Sequence, residues 1–361
     1  MNARGSTEVI VASIGLGMGA LTQNLYTMIV TVAVLTTMAM PPMLRGALRR
    51  LPMDAAEKER LEREELDARG FVSRFERLLI AADESRNGRF ASRLAGFIAG
   101  QRGMPITVLQ LEERKHAGEG EKLKAEAIEG AKEARRAVEE ENREEQPEKI
   151  SIGVATPQAT PVEVAIAQEA EKGYDVLFVG VDRMRNADGT FSANVDRAAQ
   201  GFEGPLVLTL AGNNAGLAAA SDASLNVLLP VVGTEVSRRG AELAFALTPA
   251  RQSRFVALHA AQRGSGESGR PATRSRPRRK AEKSMLDDIG ALAKRYGHDR
   301  IEVAVRGDLA ADVAILEEAR RSKADLIVIG AGRRVGDSLF LGDTVTSVLR
   351  QWKGAIVLVA M

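Results

Sequence analysis

Two similar stretches, YDVLFVG at residues 174–180 and ADLIVIG at residues 324–330, decide the fold of this chain of 361 residues. Each is an unbroken apolar run that follows an aspartate and ends in glycine. Apolar runs without polar alternation are typical of strands that are buried on both faces of a parallel sheet. Their recurrence indicates an internal repeat, in which one folding unit occurs twice.

The repeat extends on both sides of these stretches. Three more pairs of apolar runs correspond, at 78–81 and 227–230, 106–109 and 255–258, and 204–208 and 354–358. Helical patterns separate the runs, and alternation of apolar strands with helices indicates a parallel sheet covered on both faces. The sequence therefore predicts an α/β fold of two tandem, doubly wound domains, each with a five-stranded parallel sheet, at residues 72–212 and 223–361.

Each predicted domain carries an insert in its middle. Residues 112–148 are nearly all Glu, Lys, Arg and Ala, which predicts a solvated helix. Residues 263–283 include RPATRSRPRRK and are rich in Gly, Ser and Pro, which predicts a disordered basic loop. Beside a membrane, such a loop could contact anionic lipid. The chain has few aromatic residues, so we expect no nucleic-acid partner.

An uncharged apolar run covers residues 9–44 and is followed by Arg45, Arg49 and Arg50. We expect a short helix that ends near Ala20 and a membrane span from about Leu25 to Met40, within a transmembrane segment at residues 1–50. The arginines place the residues after 45 in the cytoplasm, at the inner or cytoplasmic membrane. A signal peptide and a buried helical hairpin are the alternatives. Residues 51–71 predict a charged helical linker.

Composition limits the chemistry. The chain has no cysteine and three scattered histidines, so disulfides and thiolate chemistry are excluded, and we expect no metal site. No nucleophile with an adjacent base is evident, and we therefore expect no catalytic residues and no enzyme activity.

The segment MNARGSTEVIVASIGLGMGALTQNLYTMIVTVAVLTTMAMPP at residues 1–42 resembles the last transmembrane region of monovalent cation:proton antiporters of the sodium/hydrogen exchanger type. Asn2, Arg4, Gly5 and Glu8 match the N-x-R-G-x-x-E segment of that family. The resemblance implies a membrane location and an antiporter membrane domain as partner, in the same polypeptide or in a complex. The run has no acidic residue after Glu8, so this segment alone lacks a transport site.

The tandem repeat resembles the universal stress protein family. Its nucleotide-binding members carry G-x2-G-x9-G-[ST] after the fourth strand and an aspartate after the first strand. The resemblance implies ATP or another adenine nucleotide as the ligand, although the sequence by itself fixes no cofactor. The residues that it assigns to nucleotide binding are Asp83, Gly330, Gly332, Arg333, Arg334, Gly342 and Thr344.

The match to that motif is incomplete. Gly330 and Gly332 stand one residue closer than the motif requires, and Asp343 occupies the Ser/Thr position. Val232 replaces the first-strand aspartate of the second half, whereas Asp83 keeps it in the first. Two interpretations are therefore open. The second half carries a weak or modified nucleotide site, or the two domains are kept for packing or for contact with a partner.

Together these features predict the C-terminal membrane and cytoplasmic regulatory portion of an antiporter-like protein, whose tandem domains sense adenine nucleotide. The alternative is a stand-alone, membrane-tethered universal stress protein that binds nucleotide and transports nothing. The last strand, at residues 355–360, could pair across a homodimer or within the chain. We expect the pairing of the two α/β domains within one chain.

Overall fold

The computed structural model describes residues 4–48, 70–111, 119–141, 151–155, 161–212, 225–248, 253–260, 276–307, 309–334 and 338–361. Within these ranges, the side chains of residues 4–8, 37, 39–48, 119, 120, 135–141 and 276–281 are not described. The chain divides into two compact units, Met1–Ala68 and Arg69–Met361. The predicted linker at residues 51–71 lies outside the described residues up to residue 69.

The first unit contains two helices, α1 (Arg4–Gly17) and α2 (Gln23–Leu48). A turn with Gly19 at φ +71° joins them, and the hydroxyl groups of Ser13 and Tyr26 lie 3.4 Å apart. The expectation that the second helix ends near Met40 is wrong, because α2 continues through Pro41 and Pro42 to Leu48. A proline removes one backbone hydrogen bond, but its fixed φ is compatible with helix, so an established helix can continue through it.

No helix in the described part of the chain is both long and apolar enough to cross a membrane. The transmembrane segment predicted at residues 1–50 is therefore not supported. The 14 residues of α1 span about 21 Å, which is less than a hydrocarbon core of roughly 30 Å. The longer α2 begins with the polar pair Gln23-Asn24 and includes Arg45.

The second unit begins with a 3-10 helix at Val72–Arg74 and then alternates strands with helices. The elements of its first half are β1 (Leu78–Ala82), α3 (Arg86–Arg102), β2 (Ile106–Gln110), α4 (Glu119–Glu141), β3 (Ile152–Ala155), α5 (Val162–Ala170), β4 (Val176–Gly180), α6 (Ala193–Gln200) and β5 (Leu206–Leu210). Those of its second half are β6 (Asn226–Pro230), α7 (Glu235–Ala246), β7 (Arg254–Ala260), α8 (Arg276–Arg295), β8 (Ile301–Arg306), α9 (Ala311–Arg321), β9 (Leu326–Ala331), α10 (Asp343–Gln351) and β10 (Ala355–Ala360).

The strands form one ten-stranded sheet in the order β3-β2-β1-β4-β5-β10-β9-β6-β7-β8. Pairing is parallel within each half, and the halves meet where β5 and β10 pair antiparallel, with Leu208 opposite Leu358. The mixed α/β fold with parallel strands is therefore confirmed. Both halves contribute to one continuous sheet, so they share a core and do not form two separate layers.

Burial explains the unbroken apolar runs. Every residue of β1, β4, β5 and β10 is buried, and apolar clusters cover each face of the sheet, one containing Phe178 and the other Leu177. Since neighbouring residues of a strand point to opposite faces, both parities must be apolar. This is why the strands could be recognised without polar alternation.

The segment before β1 joins the two halves. Phe71, Val72 and Phe75 are buried in the core. The N–H of Val72 donates to Oε1 of Glu242 on α7 (3.1 Å), and Nη1 of Arg102 on α3 donates to the Val72 carbonyl oxygen (2.8 Å). The Tyr296 hydroxyl also donates to Oε1 of Glu242 (3.0 Å), and burial beside this carboxylate raises the pKa of Tyr296.

The helix predicted within residues 112–148 is present as α4, with one exposed face and one buried face. Leu123, Ala127 and Ala134 are fully buried. A Cβ at Gly96 of α3 would overlap the Ala127 carbonyl oxygen, so the two helices approach each other at small residues. The sequence did not predict the buried face, because its narrow stripe of small and apolar residues lies among many charged residues.

The predicted disordered insert at residues 263–283 is partly helical. Residues 263–275 lie outside the described residues, whereas α8 begins at Arg276. Pro277 stands in the first turn of α8, where a proline is tolerated because the N–H that it lacks has no partner within the helix. The prediction of a disordered loop up to residue 283 is therefore wrong from Arg276 onward, where a basic sequence that contains proline forms the start of α8.

Candidate functional site

The antiparallel junction determines where ligand sites can lie. In an open parallel sheet, ligands bind beyond the carboxyl ends of the strands, where the strand order reverses. Strands β5 and β10 run in opposite directions. The carboxyl ends of the first half's strands and those of the second half's strands therefore lie at opposite ends of the sheet, measured along the strands. Asp83, which follows β1, therefore lies at the opposite end of the strands from Gly330, Gly332, Gly342 and Thr344 and cannot share one site with them.

The carboxylate of Asp83 is already engaged within the first half. Asp83 is 5% exposed, its Oδ1 accepts from the N–H of Ser85 (3.1 Å), and its Oδ2 accepts from the N–H of Asp182 (2.6 Å). Nearby, Nδ2 of Asn87 donates to the carbonyl oxygens of Val181 (2.8 Å) and Asp182 (3.2 Å). These bonds close the end of β4 over the end of β1, where a ligand would otherwise enter.

Gly330, near the end of β9, has a packing role. A Cβ at this position would overlap the carbonyl oxygen of Val236 in the first turn of α7. Gly180 occupies the matching place on β4, where a Cβ would overlap the Asn87 carbonyl oxygen of α3. Both glycines allow the first helix of their half to lie directly against the sheet.

Gly332 and Gly342 differ from Gly330, because a Cβ at either would meet no atom of the described residues within 4 Å. Gly342 is the N-cap of α10 at φ +97° and ψ 157°, and no side chain in the described part of the chain caps this helix. In contrast, the side chains of Ser85 and Thr234 cap α3 and α7. Thr344 is half-buried in the first turn of α10, and Asp343 before it is exposed. Among the described residues, Gly332 and Gly342 therefore have open space beside an N-terminus without a side-chain cap.

Arg333 points away from that space and toward the other half of the sheet. Its Nη1 donates to the Phe202 carbonyl oxygen (2.8 Å) and its Nη2 to the Ala199 carbonyl oxygen (2.5 Å), at the end of α6. Burial lowers the pKa of Arg333, and the nearby Glu203 opposes this effect. Arg334 is exposed, and its guanidinium lies 5.2 Å from the centre of the Phe340 ring.

A related contact runs in the opposite direction. Nη1 of Arg185, in the loop after β4, donates to the Trp352 carbonyl oxygen at the end of α10 (3.1 Å), and burial lowers the pKa of Arg185. The loop after each half's fourth strand thus contacts the end of the other half's last helix. Asp196 strengthens the interface, since its Oδ1 accepts from the N–H of Leu339 (2.9 Å).

Sequence reasoning missed this paired contact, although a signal was present. The loops read RNADGTF at 185–191 and RVGDSLF at 334–340, with arginine and phenylalanine at the same separation. Each pair forms an isolated antiparallel bridge, Arg185 with Phe191 and Arg334 with Phe340. A shared R-x5-F pattern in both halves therefore marks the two residues that form this bridge.

The structure does not describe the side chains that the sequence assigns to a transporter motif. Asn2 lies outside the described residues, as do the side chains of Arg4 and Glu8, and Gly5 contributes only backbone to α1. In the described ranges, no three His, Cys, Asp or Glu residues are placed to hold a metal ion.

Residues 224–360 match the model of the universal stress protein family. This part of the chain is a universal stress protein domain. It comprises the second half of the sheet, with β6 through β10, and includes Gly332 and Gly342. The match does not reach residues 1–50, so their resemblance to antiporters remains a prediction. The comparison with curated proteins found no match.

Solved structures similar to the chain include several universal stress proteins. One from Archaeoglobus fulgidus DSM 4304 is 17% identical over 79% of this chain and 98% of that chain, with a TM-score of 0.48. A universal stress protein described in complex with cAMP is 24% identical over 38% of this chain and 98% of that chain, with a TM-score of 0.30. A family member from Burkholderia pseudomallei is 18% identical over 37% and 93% of the two chains, with a TM-score of 0.30.

Proposed function

We propose that the universal stress protein domain binds one adenine nucleotide in the loop between β9 and α10, without turning it over. The observation that carries the proposal is that no atom of the described residues fills the space at Gly332 and Gly342. Glycine lets a phosphate approach backbone N–H groups, and the N-terminus of α10 adds a favourable partial positive charge. The family of this domain supports an adenine nucleotide as the ligand.

The chemistry of the loop favours a weak site. Arg334 is exposed and available for a phosphate, whereas Arg333 is held by α6. Asp343, in the first turn of α10, brings a negative charge next to the phosphate position and reduces affinity. Asp83 does not take part, because it lies at the opposite end of the strands. The first half then serves as a packing partner.

Calorimetric titration of the full chain with ATP and with cAMP tests this proposal. We include cAMP because one matched structure is described in complex with it. Gly332→Val fills the open space beside the loop, and we expect it to weaken binding at least tenfold. Gly290→Ala is the matched control, because Gly290 on α8 also has open space around its Cβ position.

Two results would count against the proposal. Failure of both nucleotides to bind the wild-type chain would remove it, and so would unchanged affinity in Gly332→Val. Steady release of inorganic phosphate from bound ATP would contradict binding without turnover.

As a second candidate function, we propose that α1 and α2 attach the chain to a membrane and to a cation:proton antiporter, which the nucleotide domain regulates. The support is the sequence resemblance of residues 1–42 and a surface rich in apolar side chains. Among the side chains that the structure describes, the exposed large apolar residues of these helices and of the turn between them are Ile10, Val11, Ile14, Met18, Leu25, Met28, Val32, Val34, Leu35 and Met38. In this role the residues after 45 lie in the cytoplasm.

Flotation of the full chain with vesicles that contain anionic lipid tests the attachment. We expect the wild type to float, and Val11→Glu combined with Leu35→Glu to stay in the dense fraction, because a carboxylate in lipid is costly. Val11 is 65% exposed and Leu35 is 61% exposed, so folding should tolerate both changes. Val232→Glu, at a 54% exposed position of the other unit, is the control. Equal flotation of all three proteins would contradict the attachment through α1 and α2.

A further inference from the structure

Strand β8 is one end of the ten-stranded sheet. Among the described residues it pairs only with β7, from Phe255 opposite Ile301 to Ala260 opposite Arg306. Val303 is 53% exposed and Val305 is 38% exposed. Both valines lie on the same face of the strand, since side chains alternate along it. An edge strand with exposed apolar side chains is a surface on which another strand can pair.

The hydrogen bond from the Phe255 N–H to the Arg300 carbonyl oxygen fixes which backbone groups of β8 are turned outward. Successive residues of a strand direct their N–H and C=O groups to alternate sides. Arg300, Glu302, Ala304 and Arg306 therefore turn these groups toward β7. Ile301, Val303 and Val305 turn theirs toward the open side of β8.

The sequence of β8, IEVAVR, is complementary to itself about Ala304. We propose that β8 pairs antiparallel with β8 of a second copy of the chain, with the two-fold axis at Ala304. Val303 of one copy then lies opposite Val305 of the other, and their outward N–H and C=O groups bond reciprocally. Glu302 lies opposite Arg306, so both cross-strand pairs unite opposite charges, which stabilises an antiparallel pair.

The charged residues of β8 already have partners within the chain. Oε1 of Glu302 lies 2.6 Å from Nη2 of Arg254, and Nη2 of Arg306 lies 2.7 Å from Oε2 of Glu318. In the dimer, Glu302 would gain Arg306 of the second copy as a further cation, and Arg306 would gain Glu302 of the second copy as a further anion. An antiparallel pair of different chains would carry no such built-in charge match, which favours a second copy as the occupant.

The other end of the sheet offers a poorer match. Strand β3 has four residues and contains Gly153, which has no side chain to pack across a junction. Strand β8 is longer, at six residues, and has β-branched residues at its outward positions. The self-complementary pattern is therefore specific to the β8 edge.

Cross-linking through a single introduced cysteine tests the proposal, because the chain has no cysteine of its own. Ala304 faces itself across the two-fold axis as a pair without mutual hydrogen bonds, whose Cα atoms are about 4.5 Å apart, within the range that a disulfide spans. In non-ionic detergent, which covers α1 and α2, we expect oxidised Ala304→Cys to become mainly a disulfide-linked dimer of the full chain. Val313→Cys, at a 38% exposed position on α9, is the control that should stay mainly monomeric.

Sedimentation of Val303→Pro gives a second measurement. The N–H of Val303 points away from β7, so proline there removes an outward donor and keeps the ladder to β7. We expect at least a tenfold weaker self-association with an unchanged circular dichroism spectrum. A monomeric wild type, equal cross-linking of Val313→Cys, or self-association unaffected by Val303→Pro would each overturn the proposal, the last by assigning the contact to another surface or partner.

Discussion

Two glycines at the end of β9 show how the same residue type serves different needs. Gly330 is required by the backbone of α7, because a Cβ there would overlap the Val236 carbonyl oxygen. Gly332 has no such neighbour among the described residues. The sequence presents both as one glycine-rich turn, so only the position of α7 distinguishes a glycine needed for packing from one that is free to approach a ligand.

We expect Gly330→Ala to lower the free energy of unfolding by about 3 kcal/mol, since neither neighbouring backbone can move without shifting a whole element. Gly332→Ala should change it by less than about 0.5 kcal/mol. Guanidinium denaturation, followed by the fluorescence of the single tryptophan, Trp352, measures both in the second half. Equal losses in the two variants would contradict the packing role of Gly330.

At the scale of elements, the loops after β4 and β9 hold the halves together by contacts with the last helix of the opposite half. Arg333 satisfies two carbonyl oxygens at the end of α6, and Arg185 one at the end of α10. Carbonyl groups at a helix end lack partners within the helix, and a cation there is favourable. The guanidinium groups therefore stabilise the junction, and Arg333 is not positioned for phosphate.

We expect Arg333→Met to lower the free energy of unfolding by about 2 kcal/mol, because it removes two charge-assisted hydrogen bonds. Nucleotide affinity should fall less than threefold. Arg350→Met, at an exposed position on α10, serves as the control for lost charge. If Arg333→Met retained its stability and lost affinity tenfold or more in the calorimetric titration, Arg333 would be a phosphate ligand instead.

At the scale of the whole molecule, the antiparallel pairing of β10 with β5 separates the two candidate ligand sites. Asp83 and Asn87 fill the site at the carboxyl ends of the first half's strands, whereas described residues leave space at Gly332 in the second half. The titration should therefore give one nucleotide per chain. A ratio of two would mean that the bonds around Asp83 open to admit a ligand.

The sequence was sufficient for the parallel α/β fold, because strands buried on both faces leave unbroken apolar runs. Glycines 332 and 342 could also be recognised as candidates, since a glycine-rich turn after a buried strand is visible locally. The direction of Arg333 could not, because its partner Phe202 is 131 positions away and meets it only through the β5–β10 junction. The buried stripe of α4 was hidden for a related reason, since it depends on the small residues of α3.

The chain enters its second unit at a residue that is bonded to both halves. The N–H of Val72 is held by Glu242 of the second half, and its carbonyl oxygen by Arg102 of the first. A tensile force applied to the chain ahead of Gly70 would therefore load α7 and α3 together before it reached β1. Mechanically, the tandem halves would respond to such a pull as one body, and the first bonds to break would be those of Val72.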